Sequence, residues 1–316
     1  MERIVSFAGE RVLLRGTVLE DCWEVIVREA NGHKELSFKN MVMWEDTGEV
    51  PPPETLDFPW CDAEDRAAFD AAEAAELEEK REKQREKNAQ RAKSKCRWII
   101  KSQGLNELLT LTYRENQQDR ALCKKHFEAW VRRMKAALGG KFIYCASFER
   151  QERGAMHVHV ACHKLPSHGT RKGQKIKAWK LGTEIWRSII GEDNGLCFVG
   201  GKTRHGGQRR NLSLAKLAAY VSKYIMKDYR DAPLESNRYS RSNGLEVPKA
   251  VKMSFQKLSF EEMVELAFHC ADGDVIVSHR VTRDRWSGGR YWLVTEPMSP
   301  VVPTEAANGP LVALVA

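Results

Sequence analysis

A chain of 316 residues, 42% hydrophobic and 30% charged, can hold one large domain or two modest ones and has the composition of an ordinary soluble protein. No stretch approaches the roughly 20 continuous apolar residues of a membrane helix, and Met1-Glu2-Arg3-Ile4 leads into no signal-peptide core. No membrane partner is therefore expected, and the cytoplasm is the expected compartment. The eight cysteines form no Cys-x-x-Cys pair, which excludes a zinc ribbon or redox motif. The net charge of +8 favours a polyanionic partner without identifying it.

In chain order, residues 1–60 read as a β-rich region with strand candidates at Arg11–Leu14 and Trp23–Val27, broken by Pro51-Pro52-Pro53. Residues 61–96 read as a charged linker. One helix is expected there over 62–93, alanine-rich first, then dense in Glu, Lys and Arg with few apolar positions. Residues 97–230 form the most regular region. Strands are expected at Glu107–Arg114, Lys141–Glu149, Met156–Cys162 and Leu196–Gly200, and Arg153-Gly154 suits a turn. Helices are expected at Asp119–Leu138, ended by Gly139-Gly140, and at Gln174–Ile190 and Ser213–Tyr229. This order predicts an α+β fold of the split βαβ (ferredoxin- or RRM-like) kind, an antiparallel sheet with flanking helices on one face and the other face open. Residues 231–299 read as an accessory region with a helix at Phe260–Phe268 and strands at Val275–Ser278 and Tyr291–Val294. Residues 300–316 read as a disordered tail.

Two constellations carry chemistry. On a strand, His157 and His159 point to one face and Val158 to the other. Two neutral imidazoles so placed can share a divalent ion, although a His-x-His pair is more often structural and spacing alone does not decide. In the last helix, Leu214, Leu217, Ala218, Val221 and Ile225 form one apolar stripe. Tyr220, Lys223, Tyr224 and Lys227 recur at i, i+3, i+4 and i+7 on another face, expected to be exposed. A phenol of pKa near 10 is a weak nucleophile until its charge is stabilised, which adjacent ammonium groups can do. A metal on His157 and His159 could polarise a scissile phosphate for in-line attack by tyrosine, leaving a 5′-phosphotyrosine and a free 3′-hydroxyl.

The strand Leu109–Tyr113, the run Glu149–His159 with a Gln-Glu-Arg-Gly turn before the His pair, and Tyr220–Lys227 together resemble the three motifs of the HUH endonuclease superfamily. They are similar in particular to replication initiators of small single-stranded DNA bacteriophages and rolling-circle plasmids, in the two-tyrosine version. The resemblance implies a Mg or Mn ion on His157, His159 and a third ligand, with Glu149 and Gln151 as candidates and Glu149 favoured because hard cations prefer carboxylate. It also implies rolling-circle initiation on single-stranded or supercoiled origin DNA by Tyr220 and Tyr224, in a host bacterial cytoplasm if the chain is phage-encoded.

Backbone contacts to DNA are expected from Arg171, Lys172 and Lys175, and from Arg204, Arg209 and Arg210, which lie in sequence on either side of the motifs. Gly201-Lys202-Thr203 is not a phosphate-binding loop, since Leu196 stands where the motif needs glycine. A host helicase and polymerase are thus the expected partners. A rival zinc site using Cys162 and His163 is disfavoured, because Cys162 faces away from the His pair and His163 lies too far along the strand. The competing functions are an HUH-type transposase or mobilisation relaxase, with the same site, and a non-catalytic nucleic-acid binder that would display Tyr113, Phe142 and Tyr144 as stacking surfaces.

Overall fold

The computed structural model describes residues 1–7, 10–49, 63–200, 213–227, 229, 237–284 and 288–298. The expected tail at 300–316 lies outside the described residues. The chain forms two compact units, Met1–Ala75 with Pro248–Ala316, and Glu76–Val247. No described helix is long and apolar enough to cross a membrane.

The chain begins with three strands, β1 (Glu2–Phe7), β2 (Glu10–Ala30) and β3 (His33–Asp46). Both strand candidates of this region fall inside the single long strand β2. Asn31-Gly32 joins β2 to β3 with φ of 50° and 72°, the left-handed pair that a two-residue hairpin turn requires. A shift of register between Val18 and Trp23, with Asp21 at φ 52°, marks a bulge that bends the strand.

Helix α1 (Ala63–Ser102) runs past the expected end at residue 93. It continues because Ala89, Cys96, Ile99 and Ile100 recur at helical spacing and are buried against the sheet of the second unit. That sheet is built from β4 (Glu107–Tyr113), β5 (Tyr144–Arg150), β6 (Met156–Cys162) and β9 (Gly195–Val199), with helix α2 (Arg120–Ala137) between β4 and β5. After β6 comes a small hairpin, β7 (His168–Arg171) and β8 (Gln174–Lys177), then α3 (Ala178–Ile190). The unit closes with α4 (Leu214–Lys227) and β10 (Tyr239–Arg241). The strand order is β10-β5-β6-β4-β9, every neighbouring pair antiparallel. The fold is α+β, and β4-α2-β5 followed by β6-α3-β9 traces a split βαβ core.

Two expectations need correction. Gln174–Lys177 is strand rather than helix, because Lys172 and Gly173, at φ 49° and 76°, turn the chain back on His168–Arg171. The sheet also carries helices on both faces. Phe127, Trp130 and Met134 of α2 and Leu181, Ile185 and Trp186 of α3 cover Leu109, Leu111, Val158 and Val160. On the other face, the end of α1 and the apolar stripe of α4 (Leu217, Ala218, Val221, Ile225) cover Leu108, Cys145 and Ala161. At about 1.5–3 kcal/mol per fully buried large side chain, the tryptophan-rich α2–α3 side contributes more stability. The other face stays partly open, with Leu196 and Phe198 exposed on β9.

The remaining elements, β11 (Val251–Gln256), α5 (Phe260–Cys270), β12 (Asp274–Asp284) and β13 (Gly288–Pro297), return to the first unit. Its sheet has the order β1-β2-β3-β13-β12, with β11 also paired to β2. Residues from the two ends of the chain thus share one sheet. Ser259 caps α5 in a reciprocal capping box with Glu262, which explains why that helix starts where the sequence placed it.

Candidate active site

Strand pairing assembles the site. Glu149 on β5 stands opposite His157 on β6, and Ser147 opposite His159, while Thr110 on β4 flanks His159 from the other side. Because side chains alternate, all five project from the face that α4 partly covers. Ser147 Oγ donates to the Val221 carbonyl at 2.7 Å, which fixes α4 above the pair.

The nitrogens of His157 and His159 and a carboxylate oxygen of Glu149 lie within 4.8 Å of one another. His159 Nε2 is 2.8 Å from Glu149 Oε2. Ligand atoms held at adjacent positions of an octahedral ion with bonds of about 2.1 Å stand about 3.0 Å apart, so this carboxylate–imidazole edge fits a small divalent cation. Burial opposes ionisation of Glu149, but the bonds from His159 and Lys227 outweigh it and hold its carboxyl below the ordinary value. Burial, followed by the neighbouring His159, lowers His157 to about 4. Burial likewise lowers His159, against the opposing pull of Glu149. At neutral pH the trio therefore presents one carboxylate and two neutral imidazoles, the protonation states that metal binding requires.

In the sequence Thr110 reads only as part of a good strand. Its Oγ1 lies 3.4 Å from His159 Nδ1, and a hydroxyl can donate or accept there. It therefore tolerates either tautomer, including the one that frees Nε2 for a cation. Gln151, the other candidate ligand, sits in the turn after β5, where its Oε1 accepts from Arg153 Nε at 3.3 Å. Arg153 also donates to the carbonyl of Tyr113 at 2.8 Å, and Gly154 at φ 90° completes the turn. Replacing Glu149 with glutamine keeps the shape and removes the charge. The Mn²⁺ concentration for half-saturation, read by titration calorimetry, should rise at least about tenfold; an unchanged midpoint would move the third ligand elsewhere.

Tyr220 and Tyr224 do not lie on an exposed face as expected. Tyr224 is buried and stacks on the His159 ring at 4.0 Å and 11°, and Tyr220 meets the same ring edge-on at 5.4 Å. The cause is that α4 lies across the sheet, so the flank of its apolar stripe also meets the strands. The two phenol rings are 5.3 Å apart. Lys223 Nζ lies 4.5 Å from the Tyr220 ring and 4.8 Å from the Tyr224 ring. Lys227 Nζ instead donates to Glu149 Oε1 at 2.7 Å. The Tyr224 hydroxyl is pushed well up by burial, then by Tyr220 and Glu149. A nearby cation would offset that shift.

Residues 106–229 match the family model of the replication-associated protein ORF2. This stretch, less than half of the chain, contains the strand of Thr110, the His pair with Glu149, and both tyrosines. The match supports a replication-initiator role, and with it DNA at an origin as the partner. No curated protein and no solved structure matches the chain.

The expected DNA contacts are not gathered at this site. Arg171, Lys172 and Lys175 belong to the β7–β8 hairpin, which packs on the α2–α3 side through Gly169 beside Leu181 and Leu138, and Arg171 pairs with Glu184 at 3.3 Å. Arg204, Arg209 and Arg210 lie outside the described residues. Cys162 is buried in the core of the opposite face, and His163 Nε2 meets the Gln103 carbonyl at 2.6 Å. Neither joins the His pair. Tyr113, Phe142 and Tyr144 are also buried in that core, so they offer no stacking surface to a nucleic acid.

Proposed function

We propose that the chain is a divalent-metal-dependent DNA nickase-ligase of the HUH type that starts rolling-circle replication. The observation that supports this best is the juxtaposition of both tyrosine rings with His159, itself 2.8 Å from Glu149. A Mg or Mn ion, when bound by His157, His159 and Glu149, would withdraw charge from a phosphate oxygen and orient the phosphorus for attack. The phenolic oxygen of one tyrosine attacks phosphorus, and the bond to the 3′-oxygen breaks. That oxygen leaves as a hydroxyl, taking up a proton, while the downstream strand stays on the protein as a 5′-phosphotyrosine. Phosphodiester energy is conserved in this bond, so a later 3′-hydroxyl can reverse the step without ATP. Lys223, over both rings, stabilises the developing phenolate, and Lys227 keeps Glu149 ionised and in place.

Strand separation and synthesis fall to a helicase and polymerase of the host, in whose cytoplasm the protein works. A transposase or relaxase would use the same residues on a different DNA site. The test is cleavage of single-stranded origin DNA with Mg²⁺ or Mn²⁺ against the same reaction in EDTA. Cleavage should require the cation, and undiminished cleavage in EDTA would overturn the metal assignment.

A further inference from the structure

The two faces of the sheet in the first unit differ in chemistry. One is closed by α5, whose Met263, Ala267 and Ala271 pack on Trp23, Phe38, Tyr291 and their neighbours. The alternating pattern sends Ile26, Ser37, Trp292 and Arg280 to the other face, where cross-strand pairing sets them in one row with Lys252. A shallow depression of about 270 Å³ lies on this face, with Ile26 and Trp292 in its lining and Lys39, Arg280 and Arg290 around them.

Three cations thus line the depression against one carboxylate, Glu24, which already pairs with Lys39 at 2.8 Å. Arg280, Arg290 and Lys252 are exposed, and among the described residues no carboxylate lies within ion-pair distance of them. The indole of Trp292 donates to Glu35 at 2.8 Å, which fixes the ring in the sheet. A rigid aromatic surface ringed by unneutralised cations suits an unpaired base with its flanking phosphates. A duplex hides the faces of its bases, and a broad sheet face does not enter its major groove.

We propose that this face is a second DNA contact, binding single-stranded DNA with a base against Trp292 and phosphates on Arg280, Arg290 and Lys252. It is independent of the cutting chemistry assigned to the second unit. The test is fluorescence anisotropy of a labelled 30-nucleotide oligothymidylate with the full chain in EDTA, where no cleavage interferes. Each single-strand phosphate contact contributes about 0.7 to the slope of log affinity against log salt. Arg280→Gln/Arg290→Gln should therefore make that slope shallower by about 1.4. Trp292→Leu should weaken binding about tenfold with the slope kept, its fold being checked by thermal melting. The two arginines are exposed, so the double glutamine variant decides the matter should Trp292→Leu melt early. Wild-type slope and affinity in the folded double variant would overturn the proposal, as would an equal loss on a duplex of the same length.

Discussion

Alanine at His157 should lower metal-dependent cleavage of single-stranded DNA on the order of a thousandfold, since a Lewis-acid cation contributes several kcal/mol to such a step. His157 is the better position for the test because it is only half-buried. His159 also carries the stacked Tyr224 ring and the bond to Glu149, so His159→Ala should combine the same loss with a lower melting temperature. DNA affinity measured in EDTA should stay near wild type for His157→Ala, because phosphate binding by Lys and Arg does not use the imidazole. Cleavage within tenfold of wild type would show that the His pair holds no catalytic cation.

The second large effect is expected at the tyrosines. Tyr220 and Tyr224 are one helical turn apart, with rings 5.3 Å from each other and both against His159, so either hydroxyl can serve one phosphate. Each single Tyr→Phe variant should still form some covalent adduct, but should fail to release closed circles over repeated rounds. Closing one circle while opening the next origin needs a second nucleophile, since the first remains bonded to DNA. Tyr220→Phe/Tyr224→Phe should form no adduct, while the retained rings preserve the packing on His159 and the protein still binds DNA. Repeated rounds by either single variant would leave the other tyrosine a packing residue.

Much of this site is legible in the sequence because strand and helix periods are local properties. The strand Met156–Cys162 has the bounds its sequence predicts, and alternation alone puts His157 and His159 on one face. The stripe from Leu214 to Ile225 correctly gives the buried side of α4. The depth of the tyrosines is not legible, because a helical period gives relative angles but not how deeply a flank meets the sheet. The Lys227–Glu149 bond spans 78 residues, and no local signal encodes it. The same holds for the pairing of Leu36 with Leu293, which joins the two chain ends in one sheet. One local signal goes beyond the strand candidates: Asn31-Gly32 between two apolar-rich runs announces the β2–β3 hairpin. The end of α1 escapes the sequence for a different reason. Its basic run hides the stripe that resumes at Cys96 and Ile99, and burial against the sheet overrides the local polarity.

The central claim, that tyrosines of α4 take up the cut strand, is tested most directly by mapping the adduct. Wild-type protein is mixed with origin DNA labelled at its 3′ end and Mn²⁺, denatured, and digested with trypsin. Lys216, Lys223 and Lys227 separate Tyr220 and Tyr224 into the peptides Leu217–Lys223 and Tyr224–Lys227, so each nucleophile is read independently. The expected result is label on both peptides and on no other. Cleavage without any labelled peptide, or label on a residue outside α4, would contradict the account.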